Sequence, residues 1–292
     1  MIWQQIAQQI SKVTGVPFTV AQLSAVTGGC INEAWRLDGE DGRRFFVKTN
    51  SSRNEEMFVA EAAGLREIID TGTVAAPVPV CFGSVENRAF LVLEYLSFGT
   101  GDASQLLGHE LARMHRHTRT DYGWSRDNTI GSTPQFNTPC NDWLEFWREQ
   151  RLAFQLRLAE QNGYGGNLQR NGEQLLQCFP VLFSSYTPPA SLLHGDLWSG
   201  NQVVTPEGQP VIFDPAVYFG DRETDIAMTE LFGGFSTRFY AAYKEAWPLD
   251  DDYPVRRDLY NLYHILNHLN LFGGGYLRQA EQMMERLLSE LR

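Results

Sequence analysis

Apolar positions in the first third of the chain recur with two different periods. Ile2, Trp3, Ile6 and Ile10 fall near helical spacing, which predicts a first helix packed on one face. From Val20 the texture changes. VAQLSAV, the glycine-bearing TGGCIN, EAWRLDG and RRFFVKTN read as three strands joined by turns, the later turn at Gly39–Gly42, where Gly and Asp adopt a reversal at low cost. Residues 54–70 return to helical spacing, with Phe58, Ala62, Leu65 and Ile69 on one side, and PVPVCFGSVENRAFLVLEYL reads as two more strands.

The polar stretch SFGTGD at 97–102 marks a second change. Beyond it Leu107, Leu111 and Met114 predict an amphipathic helix, a Trp-rich helix covers about 141–160, and a third helix leads towards residue 192. Helical spacing returns over 225–246 and 256–271, where Leu259, Leu262, Leu266 and Leu269 are packing positions. The pattern predicts an α+β chain of two lobes: a small β-rich lobe over 1–96 and a larger, mainly helical lobe over 97–292. An active cleft is expected where the lobes meet, since such junctions favour concave, closable sites.

Composition narrows the partners. Across 292 residues, 24 Lys+Arg stand against 35 Asp+Glu, a formal charge of −11 that disfavours generic binding to nucleic acid or anionic membranes. MIWQQIAQQI lacks the basic leader and apolar core of a signal peptide, and AFLVLEYL at 89–96 is too short to cross a bilayer. Cys30, Cys81, Cys140 and Cys178 form no CxxC pair, so reduced thiols in a cytoplasmic enzyme are expected, without structural zinc. HELARMH, carrying His109 and His115, does not make HExxH, and His264 and His268, one turn apart, lack an adjacent catalytic Glu.

The densest chemistry lies in LLHGDLWSGNQVVTPEGQPVIFDP at 192–215. Asp196 is followed by Asn201 five positions later and by Asp214 another thirteen on. An apolar strand, a short loop and a hairpin turning at TPEG can present three polar side chains together. Phosphoryl transfer needs such a set: one carboxylate orients the acceptor hydroxyl and takes its proton, while an amide and a second carboxylate hold magnesium on the nucleotide phosphates. We therefore expect Asp196 as catalytic base, Asn201 and Asp214 as metal ligands, and ATP with Mg2+ as cofactors. His194 is expected to support the loop.

The first lobe supplies the complement. Lys48 ends the strand FFVK, and Glu61 lies on the following helix, a pairing that would hold the ammonium against the α and β phosphates; Glu56 competes as partner. Gly28 and Gly29 sit where a phosphate-covering turn belongs, although TGGCIN matches neither GxGxxG nor a Walker motif. Cys30 in that turn is either a small packed side chain or a redox-sensitive thiol. LEYL reads as an adenine-binding hinge, with Glu94 and Leu96 offering backbone groups. Asp225, after Asp221, would cap a helix or brace the catalytic loop; Asp221 itself is left open, and Asp250–Asp252 read as a solvated loop.

These residues together resemble the fructosamine kinase, or ketosamine kinase, family within the aminoglycoside-phosphotransferase and choline-kinase-like superfamily. The strings that carry the resemblance are TGGCINEAW, FFVKTN, LVLEYL, ELARMH, YGW with DNTIGSTPQ, LLHGDLWSGN and FDPAVYFGDRETDIAMTELFGGF. The resemblance implies a protein-kinase-like fold and phosphorylation of the 3-hydroxyl of a ketosamine, free or on a glycated protein lysine. The unstable 3-phosphate then leaves by elimination. It also implies a preference for ribulosamines and erythrulosamines over fructosamines. Trp198 would contact the sugar or amine, or pack beneath the loop. With HGD in place of HRD, DP in place of DFG and no APE segment, no regulation by activation-loop phosphorylation is expected. The competing readings are a kinase for a cationic acceptor such as an aminoglycoside or choline, and a nucleotide-binding pseudokinase. A monomer is expected, with a Cys30-linked dimer under oxidation as the alternative.

Overall fold

The computed structural model describes residues 2–27 and 31–291. In chain order the elements begin with α1 (Ile2–Thr14), β1 (Val20–Val26), β2 (Glu33–Gly39), β3 (Arg44–Ser51), α2 (Glu55–Asp70), β4 (Pro79–Val85) and β5 (Arg88–Glu94). Next come α3 (Ser104–His115), β6 (Thr118–Arg119), β7 (Asn128–Ile130), β8 (Thr133–Gln135), α4 (Trp143–Trp147), α5 (Ala153–Gln161) and α6 (Asn167–Cys178). The last group is β9 (Ala190–Leu193), β10 (Gln202–Val204), β11 (Pro210–Ile212), β12 (Tyr218–Gly220), α7 (Glu223–Leu231), α8 (Thr237–Ala246), α9 (Tyr253–Phe272) and α10 (Leu277–Glu290).

Two compact units result. The first holds the chain up to Ala103 together with Gln202–Pro215. Its antiparallel sheet runs β1-β2-β3-β5-β4. Alternation along β3 and β5 puts Phe45, Val47, Phe90 and Val92 into one core with Ile6, Ala7 and Ile10 of α1. Full burial of each isoleucine contributes about 1.5–3 kcal/mol. Lys48 takes the alternate parity of β3. The hairpin β10–β11 joins this unit through Ile212 N–H to Ala75 O (2.9 Å) and Gly99 N–H to Val204 O (2.7 Å). The sequence-based boundary after residue 96 left this hairpin with the second lobe, because it lies more than a hundred residues downstream of the strands it joins.

The second unit is mainly helical. β12, β9 and β6 form a small antiparallel sheet, with Tyr218 opposite Leu193 and Gly220 opposite Ser191, so the apolar strand before His194 is a central strand. Three features differ from the periodicity. The helix expected over 225–246 breaks between α7 and α8, where Gly233 (φ 70°) and Gly234 (φ 96°) adopt left-handed backbone. The Trp-rich helix contains a π turn at Arg148–Leu152. The hairpin β7–β8 and helix α10 were not anticipated, the former because its strands have only three residues each. The architecture is the expected α+β one, with a β-rich N-terminal lobe and a larger helical lobe. Among the described residues no helix is long and apolar enough to cross a membrane.

Candidate active site

In the first unit Lys48 is the hub. Its Nζ donates to Glu61 Oε1 and to Asp214 Oδ1, both at 2.6 Å, although Asp214 lies 166 residues away in sequence. β3 fixes the height of the ammonium. The α2 stripe of Phe58, Ala62 and Leu65 is buried, which turns Glu61 inward and leaves Glu56 exposed. Burial opposes the charge on Lys48, but the Asp214 and Glu61 carboxylates outweigh it and hold the ammonium protonated well above the usual lysine range. The Lys48 and Glu61 side chains are 8% and 10% exposed, whereas that of Asp214 is 45% exposed and open to ligand. Asp214 adopts φ 59°, a left-handed conformation that Asp tolerates better than most residues.

The other expected nucleotide contacts are uneven. Glu94 uses its N–H on Val78 O (3.0 Å) and its carboxylate on Val78 N–H (2.9 Å), so any ligand contact from its backbone falls to the carbonyl. Leu96 follows the last strand of the sheet and is partly exposed. Gly28, Gly29 and Cys30 lie outside the described residues. The remaining cysteines, Cys81, Cys140 and Cys178, carry free thiols; burial pushes Cys81 up to about 11, away from thiolate chemistry.

In the second unit the candidate catalytic loop leaves β9 at His194. Asp225, on α7, accepts the backbone N–H of His194 on Oδ2 (2.7 Å) and that of Gly195 on Oδ1 (2.8 Å). His115 Nε2 meets the same Oδ2 at 3.1 Å, and its Nδ1 meets the Tyr243 hydroxyl at 2.7 Å, to which Arg222 also donates (3.0 Å). Burial alone would raise Asp225, but His115, His194 and the Gly195 amide hold its carboxyl below the ordinary range. His115 is lowered by its own burial and stays neutral, fitting an N–H donated to Asp225 and a ring nitrogen accepting from Tyr243. The bracing alternative for Asp225 is therefore the one observed. Asp221 is structural too, accepting from Tyr186 (3.0 Å) and Tyr260 (2.5 Å).

Gly195 (φ 81°) permits this path, since a Cβ there would overlap the carbonyl oxygen of Ala216. Asp196 follows, partly exposed, with its N–H on His194 Nδ1 (3.3 Å). Asn201 is buried and donates Nδ2 to the Asp196 carbonyl (2.8 Å), which leaves Oδ1 as the atom it can offer a cation. Asn201 Oδ1 and the Asp214 carboxylate are hard oxygen donors of the kind magnesium takes. Among the described residues no group of three or more His, Cys, Asp or Glu could hold a metal unaided.

Trp198 lies over Gly200, whose missing Cβ makes room for the indole, and is 39% exposed. Its ring meets Phe232 edge-on at 6.5 Å, and Phe232 continues to His268 (5.1 Å), which touches Phe272 (5.5 Å) and Tyr276 (5.2 Å). Burial lowers His268, so the strip is uncharged. The sequence reading missed this strip and missed His115. Exposed aromatics in FGGF and NLFGGGY were the available signal for the first; nothing local marked the second.

The fructosamine kinase family model matches residues 2–290. A Synechocystis protein assigned as a ketoamine kinase is 47% identical over 290 residues, covering 98% of this chain and 97% of its own. A chloroplastic protein-ribulosamine 3-kinase of Oryza sativa subsp. indica is 40% identical over 294 residues, covering 99% of this chain and 83% of its own. The crystal structure of a Haemophilus somnus protein assigned as a fructosamine-3-kinase superposes with a TM-score of 0.90 at 28% identity, covering 98% and 97% of the two chains. The family match spans residues 2–290, and the chain belongs to the fructosamine kinase family of kinases.

Proposed function

We propose that this protein is an ATP-dependent ketosamine 3-kinase acting on glycated amines, free or on protein lysines, with ribulosamines and erythrulosamines preferred over fructosamines. The observation that carries the reading is the pairing of Lys48 with Glu61 and Asp214 in the first unit; the second unit carries a loop whose backbone Asp225 holds just ahead of Asp196. The preference for the shorter sugar is supported by the likeness to the rice ribulosamine kinase across 99% of this chain.

In this reading Asp196 accepts a hydrogen bond from the sugar 3-hydroxyl, aligns its oxygen with the γ-phosphorus and takes the proton. The new P–O bond forms as the bond from phosphorus to the β–γ bridging oxygen breaks, and ADP leaves. Lys48 is already held protonated and meets the phosphate charge, with Glu61 fixing its direction. Asn201 and Asp214 would hold Mg2+, which when bound neutralises charge on the phosphates. Glu94 carbonyl and Leu96 amide would meet the adenine edge, and Gly28 and Gly29 the phosphates. Trp198 would offer its face to the sugar edge or to the cationic amine. The 3-phosphate product is prone to elimination, which releases the amine and makes the reaction a deglycation step, placed in the cytoplasm.

The test is turnover with ATP and magnesium on ribuloselysine, erythruloselysine, fructoselysine, choline and an aminoglycoside, with phosphorus NMR of the product. A sugar 3-phosphate signal, strongest for the shorter ketosamines, is expected. Turnover on choline or the aminoglycoside alone would overturn the substrate while keeping the roles of Lys48 and Asp196. ATP binding without turnover on any acceptor would favour a pseudokinase.

A further inference from the structure

The string DNTIGSTPQ has no place in the chemistry above, yet it folds into a polar, buried corner of the second unit. Gln135, on β8, is 1% exposed and uses both ends of its carboxamide. Nε2 donates to Ala216 O (3.0 Å) and to Asn128 Oδ1 (2.8 Å), while Oε1 accepts from the Tyr263 hydroxyl (2.8 Å). Asn128, on β7, donates to the next carbonyl, Val217 O (2.8 Å), and accepts from Asn137 (2.9 Å), which in turn accepts from the buried Arg151 (2.8 Å). Two side chains of one hairpin thus grasp the consecutive carbonyls of residues 216 and 217.

Those carbonyls occupy a sensitive place. The ladder between β9 and β12 ends at Leu193 and Tyr218, and one further bond, Ala216 N–H to His194 O (2.8 Å), extends it. Beyond that point the Ala216 carbonyl lies against the α-carbon of Gly195, the residue before Asp196. It is therefore clamped between the catalytic loop and the Gln135 amide. Satisfying two buried carbonyls is one use of these amides; their location gives a second.

We infer that Gln135, oriented by Tyr263 and Asn128, is a positioning residue that fixes Ala216 against Gly195 and thereby sets the aim of Asp196. The inference rests on the kinase reading of Asp196. Gln135→Met keeps the volume and removes all three hydrogen bonds. Tyr263→Phe removes only the hydroxyl that orients Gln135 and keeps the ring that Arg151 packs over. Small misplacements of a catalytic group are costly, so kcat should fall about tenfold or more in Gln135→Met and about threefold in Tyr263→Phe, with KM for ATP within about twofold. The double variant should match Gln135→Met, because the hydroxyl acts through the amide.

The measurement is steady-state kinetics on the best ketosamine, well below each variant's melting temperature, with Asp196→Asn alongside. Wild-type kcat in Tyr263→Phe overturns the inference even if Gln135→Met does not fold. So does a purely additive double variant, which would mean that Tyr263 acts on Asp196 by another route. If Asp196→Asn itself turns over normally, the reading of Asp196 as catalytic base fails, and this inference falls with it. If Asp196→Asn is inactive while both other variants keep wild-type kcat, only this inference fails.

Discussion

Asp225 receives the backbone N–H of Gly195 at 2.8 Å, so a carboxylate 30 residues downstream fixes the peptide that leads into Asp196, the proposed catalytic base. Asp225→Asn keeps the size but turns one donor towards a neighbour that is itself a donor. Stability should fall by about 2–4 kcal/mol and kcat by at least about tenfold. Denaturant unfolding and turnover on the same preparation check both. The depressed carboxyl of Asp225 also stabilises the fold above the ordinary Asp range, and that contribution is lost as pH falls through its folded value.

Gly195→Ala should be worse than its one methyl suggests. The left-handed backbone and the overlap with Ala216 O add, giving about 2–5 kcal/mol of destabilisation. Loss of turnover in whatever fraction folds is expected; a variant with wild-type kcat and melting temperature would contradict the described loop path.

Lys48→Met removes the cation from between two carboxylates. Glu61, already raised by burial, then has no compensating charge and takes up a proton more readily in the folded state. An acid raised on folding stabilises at low pH and loses that contribution as pH rises through its unfolded value. The variant's stability deficit should therefore grow from pH 4 to pH 7, to about 3 kcal/mol, and ATP affinity should fall at least about tenfold. Calorimetric ATP titration and unfolding at both pH values test this.

His264 is buried, its Nδ1 has no hydrogen-bond partner, and burial pushes it down to about 3. A base depressed on folding gives full stability above about pH 6.5 and loses it as pH falls towards the folded value. From pH 7 to pH 5 this one group should cost about 2 kcal/mol. His264→Leu should remove that much of the acid slope, measured by urea unfolding at the two pH values. An unchanged slope would place the acid sensitivity elsewhere, in His115 or His268.

Trp198→Ala should raise KM for the ketosamine about tenfold and leave KM for ATP unchanged, with Trp198→Phe in between. A change in KM for ATP instead would make the indole a support for the loop rather than an acceptor contact.

Much of the candidate site was legible because its signals are short. Asp196 and Asn201 are five residues apart on one loop, and Lys48 ends one apolar strand. The choice between Glu56 and Glu61 was harder. The two differ by about 140° around the helix, and only the docking of α2 on the sheet decides which turns inward. His115 was read only as a failed metal motif, since its partner Asp225 lies 110 residues away. Gln135 entered only as the end of the resemblance string DNTIGSTPQ, with no role given to it, because a glutamine in a three-residue strand looks like any surface amide until Ala216 is beside it.

The sequence by itself determined the α+β order of elements, the apolar faces of α1 and α2, and the short loop that carries Asp196 and Asn201. Each of these is written in periodicity or spacing over a few residues, where backbone sterics and local burial act alone. Tertiary structure decided that the hairpin β10–β11 joins the first unit, that Asp214 meets Lys48, and that Asp225, His115 and Gln135 converge on the backbone around Gly195. Those contacts join residues 30 to 166 positions apart. They exist only because buried polar groups must find partners once packing has fixed which segments are neighbours.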